Sequence, residues 1–252
     1  MTMLRINIAL LCLLLVLSGA SPAAEISADD LTTSLLAAAQ RGDGRTVNLL
    51  TRLGANIHDV DKSGNNVVLM AALGGEYQLM RDLLFQGVDP NVRGNSGFTP
   101  LTIVAMNGDI MAAQYLLASN ADPNLPCSTH DTPLHLAIQY KRNDIVRALL
   151  RANANVDKKN DAGDTPLMLA IRTDNREGFD LLLKKHPDFL IQDNENHDIL
   201  FIAMIENREE MALSLLNAGA PHSVLTGGYT ALHWARAMRE PKLVEKLEQL
   251  GP

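Results

Sequence analysis

Four places in this 252-residue chain carry side chains of the kinds used in catalysis or metal binding. Ser128, His130 and Asp131 are the residue types of a hydrolytic triad, but they are nearly consecutive. A triad needs a nucleophile, a base and a carboxylate converging from separate segments beside an oxyanion hole. Asn160-Asp161-Ala162-Gly163-Asp164 has the polar character of a calcium loop. It lacks the alternating ligand spacing and the closing glutamate, which leaves a polar turn. His135 and His233 occupy equivalent positions of a repeating pattern, as two metal ligands could, but about three repeats separate them. Cys127 offers a thiol, with no basic neighbour beside it in sequence to favour the thiolate. No phosphate-binding glycine loop, HExxH or paired-cysteine metal motif is present. The expectation is no catalytic residue, no metal and no cofactor. The alternative of another class is a thiol-dependent enzyme or redox protein using Cys127.

These residues sit on a repeat. In rows of thirty-three, Thr33, Asn66, Thr99, Thr132, Thr165, Asp198 and Thr230 share one column, with one residue lost before the last. A second column reads Leu50, Leu83, Leu116, Leu149, Leu182, Leu215 and Leu247. A third reads Gly54, Gly87, Asn120, Asn153, His186, Gly219 and Gly251. Self-similarity at this period predicts a stacked array in which each unit packs on its neighbours. One unit opens with a polar turn such as Asn95-Ser96-Gly97, then Thr-Pro-Leu as at Thr132-Pro133-Leu134. Threonine caps a helix N-terminus, and proline is tolerated in the first turn, where its missing N–H has no helical partner. A short helix with small residues such as Ala105 and Ala137 follows, then a break, then a second helix with a leucine pair such as Leu149-Leu150. Glycine or asparagine ends it in the left-handed region.

The run Thr132-Pro133-Leu134-His135-Leu136-Ala137, with Ile145-Val146-Arg147-Ala148-Leu149-Leu150 and Asn153-Ala154-Asn155-Val156-Asp157, resembles an ankyrin repeat. So do Thr230-Ala231-Leu232-His233-Trp234-Ala235 and Gly87-Val88-Asp89-Pro90-Asn91. The resemblance implies an all-α repeat solenoid of about seven helix-turn-helix units with β-hairpin-like fingers and atypical terminal capping repeats. Repeats are expected near 28–60, 61–93, 94–126, 127–159, 160–192, 193–224 and 225–252. It also implies that His135 and His233 make structural hydrogen bonds near the finger base.

Departures from the pattern carry expectations too. The helix-break column runs Gly42, Gly75, Gly108, then Lys141, Asp174, Asn207 and Arg239. Either the loop conformation changes there or each site costs roughly 1 kcal/mol. The fifth repeat ends His186-Pro187-Asp188-Phe189 and the sixth opens Asn196-His197-Asp198-Ile199, which predicts broken caps, irregular curvature and weaker units there.

Residues 1–23 read as a signal peptide: Arg5, an apolar run from Ile6 to Leu17, then small residues through Ala24. The run is short of the ~20 residues needed to span a bilayer. Ala20 stands where a lipoprotein signal needs cysteine, so no stable membrane anchor is expected. With Cys12 removed, Cys127 alone remains and forms no internal disulfide. Export without disulfide or lipid favours a bacterial periplasm. The net charge of −7, without a basic cluster, argues against nucleic acid.

The resemblance places a concave binding face on the fingers and the exposed side of each first helix. Mapped to this chain, the partner-binding candidates are Phe98, Met106, Asp131, Tyr140, Asp164, Arg172 and Tyr229. Phe98 and Tyr140 are either anchors for a partner or packing for adjacent fingers; Asp131 and Asp164 would form a negative rim for a basic partner. The expected function of residues 24–252, acting as a monomer, is a periplasmic protein-protein scaffold supporting an enzyme or stress response. The alternative is an immunity protein that neutralises an exported toxin.

Overall fold

The computed structural model describes residues 27–223 and 226–251. The expected signal segment and Cys12 lie outside the described residues. Within them the chain forms helices paired in order: α1 (Ala28–Gln40) with α2 (Gly44–Arg52), α3 (Val67–Gly74) with α4 (Tyr77–Phe85), and α5 (Pro100–Asn107) with α6 (Ile110–Ala118). The series continues with α7 (Pro133–Gln139) and α8 (Asn143–Arg151), α9 (Pro166–Arg172) and α10 (Arg176–Leu183), α11 (Ile199–Ile205) and α12 (Glu209–Asn217), and α13 (Ala231–Met238) and α14 (Pro241–Leu250). Among the described residues there is no strand beyond an isolated bridge between Thr226 and Tyr229. The fold is an all-α repeat solenoid, as the resemblance implies.

Two compact units share the chain. One holds the described residues up to Ile103 together with Tyr115–Ala121; the other holds Val104–Gln114 and the described residues from Asp122 onward. In the first, α1 packs on α2 and α3, and α3 on α4. In the second, α7 packs on α8 and α9, α9 on α10 and α11, and α11 on α12 and α13. The first helix of each pair is thus flanked on several sides, and its composition follows. In α11, Ile199 through Met204 are all buried, and in α7 Pro133 through Ile138 are. The second helices bury one stripe only, as with Ile145, Val146, Ala148, Leu149 and Leu150 of α8. Alanine recurs at the tightest position: Ala71, Ala137, Ala170, Ala203 and Ala235 have no exposed surface.

Chain reversal depends on left-handed backbone. Gly42, Gly75, Gly108, Lys141, Asp174, Asn207 and Arg239 all have φ between 52° and 95°. The loop conformation is therefore kept in the later repeats, and the cost falls on the non-glycine residues. In six of these seven turns the next residue returns its N–H to the buried alanine column, as in Glu76 N–H to Ala71 C=O at 2.8 Å, Asn175 to Ala170 at 2.9 Å and Glu240 to Ala235 at 3.0 Å; after α5 the column holds Val104, whose C=O accepts from Gly108 N–H at 2.9 Å. That bond closes a Schellman-type turn.

The fifth and sixth repeats correct part of the sequence expectation. Asp198 caps α11 fully, its Oδ1 accepting from Phe201 N–H at 2.8 Å, so that helix start is intact without Thr-Pro. His186 takes φ 52°, so the left-handed turn is also kept. Only one bond is lost. In other repeats the residue after the turn donates back to the leucine column, as Ala154 does to Leu149 at 3.0 Å and Ala220 to Leu215 at 2.9 Å. Pro187 has no N–H to give. The first repeat differs more. Thr33 lies inside α1, and Ser27 caps the helix by accepting from Asp30 N–H. The helix thus runs a turn and a half further upstream than its counterparts.

His135 builds the join between repeats. Its ring is fully buried. Nδ1 accepts from the Thr132 N–H at 3.2 Å, so Nε2 carries the proton and donates to Asp164 C=O at 3.0 Å. The Thr132 hydroxyl lies 2.8 Å from Nδ1 and completes a capping box. His233 repeats the Thr230 contact at 2.8 Å, but its ring is exposed.

Two measurements follow. Arg239→Gly should raise the stability of the second unit by about 0.5–1 kcal/mol, because it removes left-handed strain at an exposed site where glycine costs nothing sterically. Denaturant melts decide it. Burial holds the His135 pKa below the ordinary histidine range, against the pull of its Asp164 carbonyl bond. Its contribution is therefore complete above about pH 6.5 and is lost as pH falls through the folded value. Melts between pH 7.5 and 5 should lose stability in the native chain and change less in His135→Gln.

Candidate functional site

The projecting turns share one geometry. The first residue of each finger donates its N–H to the carbonyl four residues on: Asp61 to Asn65, Gly94 to Phe98, Cys127 to Asp131, Asn160 to Asp164 and Asp193 to His197, at 2.9–3.2 Å. The last finger is one residue shorter, with Thr226 N–H on Tyr229 C=O at 3.0 Å. This is where the residue lost from the final repeat is removed. Where the first residue is Asp or Asn, its side chain caps its own turn. Asp61 Oδ1 accepts from the Ser63 and Asn65 N–H groups, and Asp193 Oδ1 from those of Glu195 and His197. Neighbouring fingers are tied to each other by Asp161 N–H on Thr129 C=O, Asn160 Nδ2 on Asp131 Oδ1 and His130 Nδ1 against Asp161 Oδ1.

The triad-like residues therefore do not meet as a triad. His130 faces Asp161, while Asp131 accepts from Thr129 and Asn160. Cys127 is buried, its sulfur 3.0 Å from the Thr129 hydroxyl. Among the described residues no group of three His, Cys, Asp or Glu side chains could hold a metal ion. Nor is any helix among them long and apolar enough to cross a membrane.

The expected partner-binding residues divide into two kinds. Asp164 and Arg172 are structural in geometry, which corrects the expected negative rim. Asp164 is only 5% exposed, because Arg172 reaches over it from the end of α9. Arg172 Nε donates to Asp164 Oδ1 at 2.9 Å, Nη2 to Asp193 Oδ2 at 2.8 Å, and Nη1 to Glu206 Oε1 at 3.4 Å. One guanidinium thus joins two fingers and the end of α11. Burial pushes the Asp164 carboxyl up by more than Arg172 lowers it. Burial also pushes Asp193 up, but the N–H groups of His197 and Glu195 and the His197 ring outweigh it and hold its carboxyl below the usual range. Partial burial works against the Arg172 charge, yet its carboxylate partners prevail and raise its pKa. Asp131 is half-buried and committed to the finger bonds already described.

The second kind remains open. Tyr140, at the end of α7, is 44% exposed, and Tyr229, at the last finger, 55%. Tyr229 leans on His233 and edge-on against Trp234, whose indole also meets Phe201 at 4.9 Å between ring centroids. Met106 is half-buried, and its carbonyl accepts from Arg142 Nε at 3.1 Å. In the other unit Phe98 is half-buried beside Leu69 and Leu73. Asp193, Phe201 and Trp234 were absent from the sequence reading of this face. A signal existed for Asp193, which shares the finger-opening column with Asp61. The aromatic cluster had none, because its members come from different columns.

Replacing Arg172 with Met should cost about 3 kcal/mol, since it strands two buried carboxylates. Adding Asp164→Asn should recover part of that loss in a denaturant melt. If Arg172→Met melts like the native chain, the network does not hold the fingers together.

A search of curated protein sequences finds no match to this chain. The family model described as Ankyrin repeats (3 copies) matches in overlapping windows at residues 35–127, 68–160, 121–193, 143–226 and 167–251. Those windows cover nearly every helix described above, with its left-handed turn, buried alanine column and stacked finger. The chain belongs to the ankyrin-repeat family.

Proposed function

We propose that this chain is a non-catalytic scaffold that binds a partner protein through its finger turns and first-helix ends. We place it in the periplasm, supporting an enzyme or a stress response. Ankyrin repeats generally mediate protein-protein interaction. The observation that carries the reading is where large apolar side chains are left in water. In the second unit Tyr140 and Ile205, 42% exposed, end first helices, and Tyr229 sits on a finger. In the first unit Leu73, 46% exposed, lies near the end of α3 at the same repeat position as Ile205. Aromatic and aliphatic anchors within a polar surround are the usual source of binding energy at protein interfaces. The bonded fingers hold these side chains on a rigid frame, which lowers the entropy lost on binding. The export reading is supported by the order of residues 1–23, a basic residue, an apolar run and small residues.

Tyr140→Ala combined with Ile205→Ser should leave the melt unchanged, because both side chains lie outside the buried columns. Capture of a periplasmic partner should weaken by at least about 2 kcal/mol, on the order of thirtyfold. Undiminished capture, together with loss of function in Cys127→Ser, would transfer the function to the thiol.

A further inference from the structure

In the second unit the loops that follow the second helices are bonded to one another, and one of these bonds is missing. Asn155 N–H donates to Asn124 Oδ1 at 2.7 Å. One repeat on, Asp188 N–H donates to Asp157 Oδ1 at 2.9 Å. The next pair in these two columns is Pro221 and Leu190. Proline has no N–H to give, and the leucine side chain has no atom to accept one. Leu190 still makes the turn of its own loop, donating its N–H to Asp188 Oδ1 at 2.9 Å, so only the link to the next loop is lost. The loop after that is tied again, by His222 Nε2 on Gly251 C=O at 3.1 Å.

The helices show the same gap. α8 packs on α10 and α12 on α14, but no comparable packing joins α10 to α12. A cleft of about 560 Å³ lies between their starts, with Asp174 and Arg176 on one wall and Arg208, Glu209 and Met211 on the other. Long side chains reach across it: Arg176 Nη2 donates to Ser214 Oγ at 3.1 Å, and Arg208 Nη1 lies 3.5 Å from Asp174 Oδ2. The finger side of the same join is closed. There α9 packs on α11, Asn194 Nδ2 donates to Asp161 C=O at 2.8 Å, and Arg172 gathers Asp164, Asp193 and Glu206. All of these residues belong to the second unit.

We propose that the stack bends at this join, pivoting on the Arg172 clamp while the gap between α10 and α12 opens and closes, and that the bend sets how far Tyr140 stands from Ile205 and Tyr229. In an array whose units touch only their neighbours, bending concentrates where one edge of a join is tied and the other is not. The clamp is short and partly buried, so it resists separation and serves as the axis. The contacts on the other edge run through exposed arginine side chains, which can swing without breaking a packed core. Opening the gap curves the stack toward the finger side. Tyr140 lies before the join, and Ile205 and Tyr229 lie after it. The consequence for these three side chains rests on the scaffold reading: a partner that grips all of them must fix the bend.

Spin labels on the whole mature chain test this, in a Cys127→Ser background. Arg151, Lys184 and Asn217 are exposed and share one column, at the ends of α8, α10 and α12. Labels at 151 and 184 span a tied join, and labels at 184 and 217 span the proposed hinge. Dipolar broadening in frozen solution should give a spread of distances for 184–217 roughly twofold wider than for 151–184. Leu190→Asn with Pro221→Asp rebuilds the missing acceptor and donor and should narrow 184–217 to the width of 151–184. Either change alone should leave it wide. Equal widths in the unrepaired chain overturn the proposal, and so does a repaired chain that melts normally and stays wide. Partner capture separates this from the scaffold reading. Equal widths in a chain that captures a periplasmic partner remove the hinge and leave the scaffold standing. A wide 184–217 distance in a chain that captures nothing keeps the hinge and removes the scaffold.

Discussion

Every helix described here ends at a residue in left-handed backbone, and the stacking of the repeats depends on those turns. After each first helix the chain must reverse within three residues. It does so through a positive-φ residue, followed in all but the third repeat by an N–H returned to a buried alanine carbonyl. That bond sets the angle at which the second helix packs, and so decides which stripe of Ile145, Val146, Leu149 and Leu150 is buried. It also satisfies carbonyls that would otherwise be stranded at a buried helix end. Glycine does this at little cost in the early repeats. Lys141, Asp174, Asn207 and Arg239 adopt the same conformation under strain, which shows that neighbouring repeats enforce the turn even where local preference opposes it.

The polar column after the turn shows how the sequence was reused. Asp43 and Asp109 cap their own second helices, accepting from Thr46 and Ala112 N–H groups. Later in the chain the column holds Arg142, Asn175 and Arg208, which reach to the preceding repeat instead. They donate to the carbonyls of Met106, Ile138 and Ile171. The later repeats therefore exchange a local cap for a bond between repeats. Asn175 does both, since its Oδ1 accepts from Gly178 N–H at 2.9 Å.

Period, helix pairing and core columns were legible because they recur. A residue that fills the same place seven times announces its environment. Asp198 shows the limit of reading by residue type: it looked like a broken cap, yet an aspartate carboxylate accepts the same N–H as a threonine hydroxyl. The site was less legible. Asp164 was read as a surface carboxylate because fingers project into water. Its burial depends on Arg172, eight residues later, and on Asp193 and Glu206 from the following repeat. Arg172 leaves no periodic trace, since its column otherwise holds Leu73, Met106, Gln139 and Ile205.

Trp234 is the chain's single tryptophan. Its indole N–H donates to Thr226 C=O at 3.1 Å, and its ring is wedged between Phe201 and Tyr229. Its emission therefore reports on the docking of the last helix pair against the one before it, and on little else. In a nearest-neighbour array the terminal unit can detach while the interior stays folded. A fluorescence transition in this protein would thus time the fraying of one end, whereas helicity would follow the whole stack. The separation between the two midpoints would measure how far cooperativity extends along the array.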